Sequence, residues 1–123
     1  MNARIEPPKK KVMVVVGTRP EGIKMAPVCH ALARCQSLQL QLVNTGQHTD
    51  LLAPVLDLFG LETHLNLDVM RPGQSLARLT ARLLNGLEHT LRVERPDYVL
   101  VQGDTTTVLA ASLVAFYQRV PIG

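Results

Sequence analysis

KVMVVVGTRPEGIK, residues 11–24, is the stretch whose reading decides the fold. After the lysine its first part is a continuous apolar, β-branched run, as expected of a parallel strand covered on both faces. Gly17 ends the run, and a helix is expected over residues 21–34. Pro27 falls inside that helix and, lacking an amide proton, is expected to mark an irregular first turn. A strand, a short polar loop and a helix in that order open a βαβ unit.

The same alternation continues outward from this stretch. Residues 40–45 (LQLVNT) form a second strand and residues 48–59 a second helix, again with an early proline, Pro54, and with Gly60 as its C-terminal cap. A weaker strand at about residues 64–69 precedes the turn-like RPG of residues 71–73. In the third helix Leu76, Leu79, Leu83, Leu84, Leu87 and Leu91 recur at three- and four-residue steps and make one apolar stripe. Arg78, Arg82, His89 and Arg92 fall opposite, as a solvated face. Pro96 closes this helix, residues 98–102 (YVLVQ) are a fourth strand, residues 105–118 a fourth helix, and residues 120–123 the start of a fifth strand.

Strands and helices alternating at this spacing predict right-handed crossovers and an α/β fold: a three-layer, doubly wound parallel sheet of Rossmann-like type. Its expected strand order is 3-2-1-4-5, with the first and fourth strands adjacent at the switch point. The domain spans residues 11–123 and is preceded by a basic, flexible tail over residues 1–10.

Composition excludes several classes. A chain of 123 residues, 46% hydrophobic and 19% charged, is one globular domain rather than a disordered segment. No apolar run approaches the roughly 20 residues that span a bilayer, so no membrane association is expected. The polar, basic first eleven residues do not read as a secretory signal. Cys29 and Cys35 read as two buried, reduced thiols, and the chain is expected to be cytoplasmic. The net charge of +3 resides in residues 1–11, because residues 12–123 carry nine basic and nine acidic side chains. No basic face with interleaved aromatics is present, which argues against nucleic acid. Zinc motifs and serine nucleophile elbows are absent, and His30, His64 and His89 have no partner at metal spacing.

Chemistry is expected where loops gather at the carboxyl ends of the strands. Residues 17–24 (GTRPEGIK) lack the glycines of a dinucleotide fingerprint and of a P-loop. They place Arg19 and Lys24 beside a helix N-terminus, where free amides and the positive dipole end favour an anion. Arg19 pairing with Glu21 on the surface is the simpler alternative. Residues 103–107 (GDTTT) place Asp104 on the neighbouring edge, either as the cap of the fourth helix or as a general acid or base. Residues 45–48 (TGQH) bring Gln47 and His48 to the same side, as ligand contacts or as polar residues entering a helix.

GTRPEGIKMAP at residues 17–27, TGQH at residues 45–48 and VQGDTTTVLAASLVAFYQRVPIG at residues 101–123 together resemble the non-hydrolysing bacterial UDP-N-acetylglucosamine 2-epimerases. The resemblance covers nearly all of residues 12–123. Gly22 stands where alanine is usual, and Gln102 where histidine is common. The family resemblance implies the N-terminal part of a glycosyltransferase-B-type two-domain enzyme, homodimeric at full length and needing no cofactor. It implies interconversion of UDP-N-acetylglucosamine and UDP-N-acetylmannosamine by elimination and re-addition of UDP. Arg19 and Lys24 then line the UDP site, and Asp104 resembles a carboxylate used in acid–base work at the sugar. Gln47 matches a residue of a second, activating nucleotide-sugar pocket. Asp50 and Gly73 depart from the residues of activated members, which speaks against such activation here. The alternatives are a glycosyltransferase-B-type or hydrolysing UDP-sugar half-domain, and a non-catalytic flavodoxin-like binding module.

The resemblance also implies that residues 11–123 are a half-domain lacking its later strands and the second domain. Uncovered strand edges and apolar helix faces invite association. At high concentration the chain is therefore expected to scatter light as oligomers; a monodisperse monomer contradicts the expectation.

Overall fold

The computed structural model describes Ile5 and residues 7–123. Half of the expected N-terminal tail, residues 1–4 and Glu6, lies outside the described residues. Eight elements follow in strict alternation: β1 (Lys10–Val16), α1 (Arg19–Arg34), β2 (Leu38–Asn44), α2 (Thr49–Leu58), β3 (Leu65–Asn66), α3 (Leu76–Glu94), β4 (Tyr98–Leu100) and α4 (Thr106–Tyr117). The sheet is parallel with order β3-β2-β1-β4. Val14 stands opposite both Leu42 and Leu100, which places β1 at the centre. Beyond β4, Ile122 bridges Val99 in parallel, so the segment after α4 occupies the expected fifth position.

Side-chain alternation along β1 sorts the core into two layers. Val14 and Val16, with Leu42 from β2, pack against Met25 and Cys29 of α1 and Leu52 and Leu56 of α2. Met13 and Val15, with Val43 and Val99, pack against the leucines of α3 and the small residues Ala110, Ala111 and Ala115 of α4. Each of β1's residues from Met13 to Val16 is fully buried. A strand apolar on both faces is stable only between two layers of helices, which is why its continuous run predicted this architecture.

The turns show why the helices stop. At the end of α2 the Gly60 amide donates to Asp57 O at 3.0 Å and the Leu61 amide to Leu56 O at 2.8 Å, with Gly60 at φ +65°. This paired capping of the last carbonyls needs a left-handed residue, which glycine adopts without strain. Arg119 fills the corresponding place after α4 at φ +58° and turns the chain directly toward Ile122. Pro96 follows the left-handed Arg95 that caps α3, as the sequence predicts.

Several expectations need correction. Pro27 does not mark a first turn: α1 begins at Arg19, and Pro27 lies in its interior. Pro54 likewise lies within α2 rather than at its start. Each proline removes one helical hydrogen bond, from the carbonyl of Ile23 or of Asp50. Both prolines and both of those residues lie on the exposed sides of their helices. Strand β3 has two residues, because only Val43 and Asn44 of β2 find register partners there. Leu76 leaves the predicted stripe: it is 76% exposed at the first turn of α3, ahead of the point where the helix reaches the sheet. Cys29 is buried, and burial pushes its thiol up to about 11. Cys35 is half-exposed instead, with Sγ 3.3 Å from Ser37 Oγ, and that contact holds its thiol below the usual range.

Gly22, where the resemblance leads one to look for alanine, has a local explanation. A Cβ there would stand 2.5 Å from Leu52 Cδ1, so the leucine of α2 fills the methyl's place.

The burial difference along α3 is directly measurable. Leu83→Ala, at a fully buried position, is expected to lose about 3 kcal/mol of unfolding free energy. Leu76→Ala is expected to change it by less than about 0.5 kcal/mol in the same denaturant titration. Equal losses would contradict the packing described.

Candidate functional site

From the central pair of strands the chain leaves in opposite directions. β1 leads into α1 on one face of the sheet, and β4 leads into α4 on the other. Between these departures a parallel sheet forms a crevice at its carboxyl edge. Six of the buried polar residues, Thr18, Glu21, Asn44, Thr45, Gln47 and Thr107, belong to the loops and helix starts along this edge. Hydrogen bonds along this edge take up the side chains of Glu21, Asn44, Thr45, Gln47 and Thr107, as burial of polar groups requires.

Glu21 is 1% exposed at the third position of α1. Its Oε2 accepts hydrogen bonds from the Gly17 and Thr18 amides, each at 2.7 Å. Its Oε1 accepts from the hydroxyl of Thr105 in the β4 loop. Thr105 Oγ1 also accepts from the Val108 amide at 3.3 Å and so caps α4. Alongside this, Gln47 Oε1 accepts from the Thr107 amide at 3.2 Å and from its hydroxyl at 2.7 Å. Thr45 Oγ1 and Thr107 Oγ1 stand 3.0 Å apart, completing a bridge from the β2 loop to α4. Gly17 lies against this bridge: a Cβ there would meet both threonine hydroxyls at 2.4 Å.

Above this floor stand the residues singled out from the sequence. Arg19 is the first residue of α1 and is exposed; Lys24, three residues after Glu21, is exposed as well. Neither enters an ion pair among the described residues. The alternative pairing of Arg19 with Glu21 is therefore corrected: the carboxylate is buried and taken up by amides and a hydroxyl. The reason given for an anion site also changes. The Gly17 and Thr18 amides already serve Glu21 and Pro20 has none, so a bound anion would have only the remaining first-turn amides beside the two side-chain cations. Thr18 Oγ1, buried at the cap of α1, has no partner.

Asp104 is exposed and does not cap α4, because Thr105 does. The structural alternative for Asp104 thus falls, and Asp104 directly precedes the threonine that bonds Glu21. Gln47 is buried and engaged with Thr107, whereas His48 is exposed. Both line a cavity of about 480 Å³ with Asp50, Asp68 and Met70, over the β2 and β3 loops rather than between Arg19 and Asp104. No group of three or more His, Cys, Asp or Glu suited to a metal occurs among the described residues. No helix of the described residues is long and apolar enough to cross a membrane.

Sequence reasoning missed Glu21, Thr45 and Thr107 as the elements that join the loops. One signal was present for the first of these. Thr18 and Glu21 have the Ser/Thr-x-x-Glu spacing in which a glutamate reaches back to the cap residue's amide. Nothing in the sequence pairs Glu21 with Thr105.

Comparison with known proteins bears on the whole arrangement. Residues 30–123 match the family model for UDP-N-acetylglucosamine 2-epimerase. The Escherichia coli K12 protein of that name is 51% identical over 113 residues, 92% of this chain and 30% of its own. The Neisseria meningitidis UDP-GlcNAc 2-epimerase, solved bound to UDP-GlcNAc, shares the fold at a TM-score of 0.87 and 46% identity. That match covers 92% of this chain and 30% of the Neisseria chain. Staphylococcus aureus MnaA, solved with UDP, gives a TM-score of 0.88 at 44% identity over 93% of this chain and 30% of its own. The present chain thus spans about 30% of the length of the relatives it matches.

Crowding at Gly17 is open to test. Gly17→Ala forces a methyl onto two buried hydroxyls and is expected to lower unfolding free energy by about 2 kcal/mol, within the range of overpacked cores. Wild-type stability in a denaturant titration would show that the Thr45–Thr107 bridge gives way freely.

Proposed function

This chain belongs to the UDP-N-acetylglucosamine 2-epimerase family, and from that premise we propose that it supplies the diphosphate-facing side of a nucleotide-sugar epimerase site. The reaction is interconversion of UDP-N-acetylglucosamine and UDP-N-acetylmannosamine. Loss of the proton at the second sugar carbon and of UDP at the first leaves a 2-acetamidoglucal; UDP and a proton then add back with the configuration at the second carbon changed.

One observation carries the reading. Two exposed cations in the first half of α1, unpaired among the described residues, and an exposed carboxylate in the β4 loop follow the carboxyl ends of the paired strands β1 and β4. Charge builds on the departing diphosphate as the glycosidic bond breaks, and Arg19 and Lys24 offer it compensation. Arg19 grips two phosphate oxygens through its planar fork, and Lys24 adds a compact charge. Asp104, released from capping, acts as an acid–base group at the sugar. Of the β2-loop candidates, His48 is exposed beside a separate cavity and Gln47 is taken up by Thr107, so the reading rests on Arg19, Lys24 and Asp104. The reading entails a cytoplasmic, homodimeric enzyme that needs no cofactor, to which the 123 residues contribute an N-terminal part without turnover of their own.

Titration of UDP into this chain, followed by backbone-amide NMR, tests the proposal. Arg19→Ala and Lys24→Ala are each expected to weaken binding about tenfold, roughly 1.4 kcal/mol, while Asp104→Asn leaves it within about twofold. UDP affinity unchanged by both cation substitutions overturns the assignment. Appearance of N-acetylmannosamine product with the 123 residues alone overturns the expectation that they do not turn over.

A further inference from the structure

We propose that Glu21 is a positioning residue of this site: its buried carboxylate locks the β1 loop to the β4 loop and so sets where Arg19 stands relative to Asp104. The mechanical link rests on the geometry alone, and its consequence for substrate rests on the function proposed above.

Helix capping does not account for what Glu21 does. A capping glutamate needs only one oxygen on the backbone amides and leaves the other to solvent. Here the residue is 1% exposed, and its second oxygen reaches Thr105, 84 residues away in sequence. Taking a carboxylate out of water costs several kcal/mol unless donors surround it. Two amides, one hydroxyl and the positive end of α1 meet that requirement.

The placement of the partners gives the link its reach. Thr18 caps α1 and Thr105 caps α4, so one side chain joins the starts of helices that lie on opposite faces of the sheet. Arg19 follows Thr18 directly, and Asp104 directly precedes Thr105. Rotation of either loop is therefore resisted by the other. The α4 start is separately held to the β2 loop by the bonds of Thr107 to Gln47 and Thr45. Loss of the Glu21 link thus removes the tie between the β1 and β4 loops. Gly17 O keeps its bond from the His48 amide at 2.8 Å and α4 keeps its own to the β2 loop, which separates a positioning role from a purely structural one.

Substitutions at the two ends of the link decide the matter; Thr105→Val also removes the cap of α4, so the amides that report on the link are those of Gly17 and Thr18, outside α4. Glu21→Asp keeps charge at the start of α1 but is one methylene too short to reach both loops. Thr105→Val removes the hydroxyl, and Thr105→Ser restores it. In backbone-amide NMR spectra of this chain, Thr105→Val is expected to shift the Gly17 and Thr18 resonances, whereas Thr105→Ser leaves them in place. Glu21→Asp is expected to shift those of Asp104 and Thr105. With UDP as probe, Glu21→Asp and Thr105→Val are expected to weaken binding at least fivefold, and Thr105→Ser to recover it. Unmoved Gly17 and Thr18 resonances in Thr105→Val overturn the proposal, as does an equal disturbance from Thr105→Ser. Should Glu21→Asp not fold, the Thr105 pair carries the same decision. If UDP fails to bind the wild-type chain, the proposed function falls, while the amide shifts still judge the link.

Discussion

A carboxylate buried without water must be ringed by donors, and the carboxyl edge of this molecule is arranged around that demand. Glu21 takes two amides from the β1 loop and one hydroxyl from the β4 loop. The loops are thereby defined relative to each other, and the side chains beside them, Arg19 and Asp104, are left to face solvent. The same bonds take up the Gly17 and Thr18 amides just ahead of α1. Arg19 and Lys24 are the cations at hand for a ligand's charge.

This arrangement depends in turn on the sheet. β1 is paired on both sides and buried on both faces, so its carboxyl end cannot move without disturbing β2, β4 and both helical layers. A site mounted on that strand inherits its rigidity. Adjacent to it, the Thr45–Thr107–Gln47 bridge ties the β2 loop to α4, and Gly17 has no side chain because none would fit beneath that bridge. Polar residues are buried here because strand ends leave amides and carbonyls that the ladder no longer satisfies.

How much of this was legible in the sequence differs from residue to residue. The run from Val12 to Val16 announced a central parallel strand, and the order of elements with right-handed crossovers then yielded the strand order. Gly60 and Pro96 announced helix ends because their backbone limits act locally. Pro27 and Pro54 misled for a related reason: a helix tolerates proline within it when the freed carbonyl faces solvent, and which face that is depends on packing. Leu76 repeated the helical period correctly yet is exposed, since periodicity describes a direction around the helix and not where the sheet ends. Arg19, Lys24, Asp104, Gln47 and His48 were all found as candidates, but their environments were not.

What the sequence by itself determined was therefore the set of elements, their layering, the family to which the chain belongs and the loops that carry its candidate chemistry. The elements and layers follow from interactions within one segment or from a pattern of apolar residues, and the family from the resemblance carried by the GTRPE, TGQH and GDTTT motifs. Only the tertiary structure decided that Glu21 is buried rather than paired with Arg19, that Thr105 rather than Asp104 caps α4, and that Gln47 is bound to Thr107. Those outcomes turn on hydrogen bonds between side chains some 60 to 84 residues apart. Local propensity carries no information about such a bond, because its donors meet only after the strands that bear them have paired.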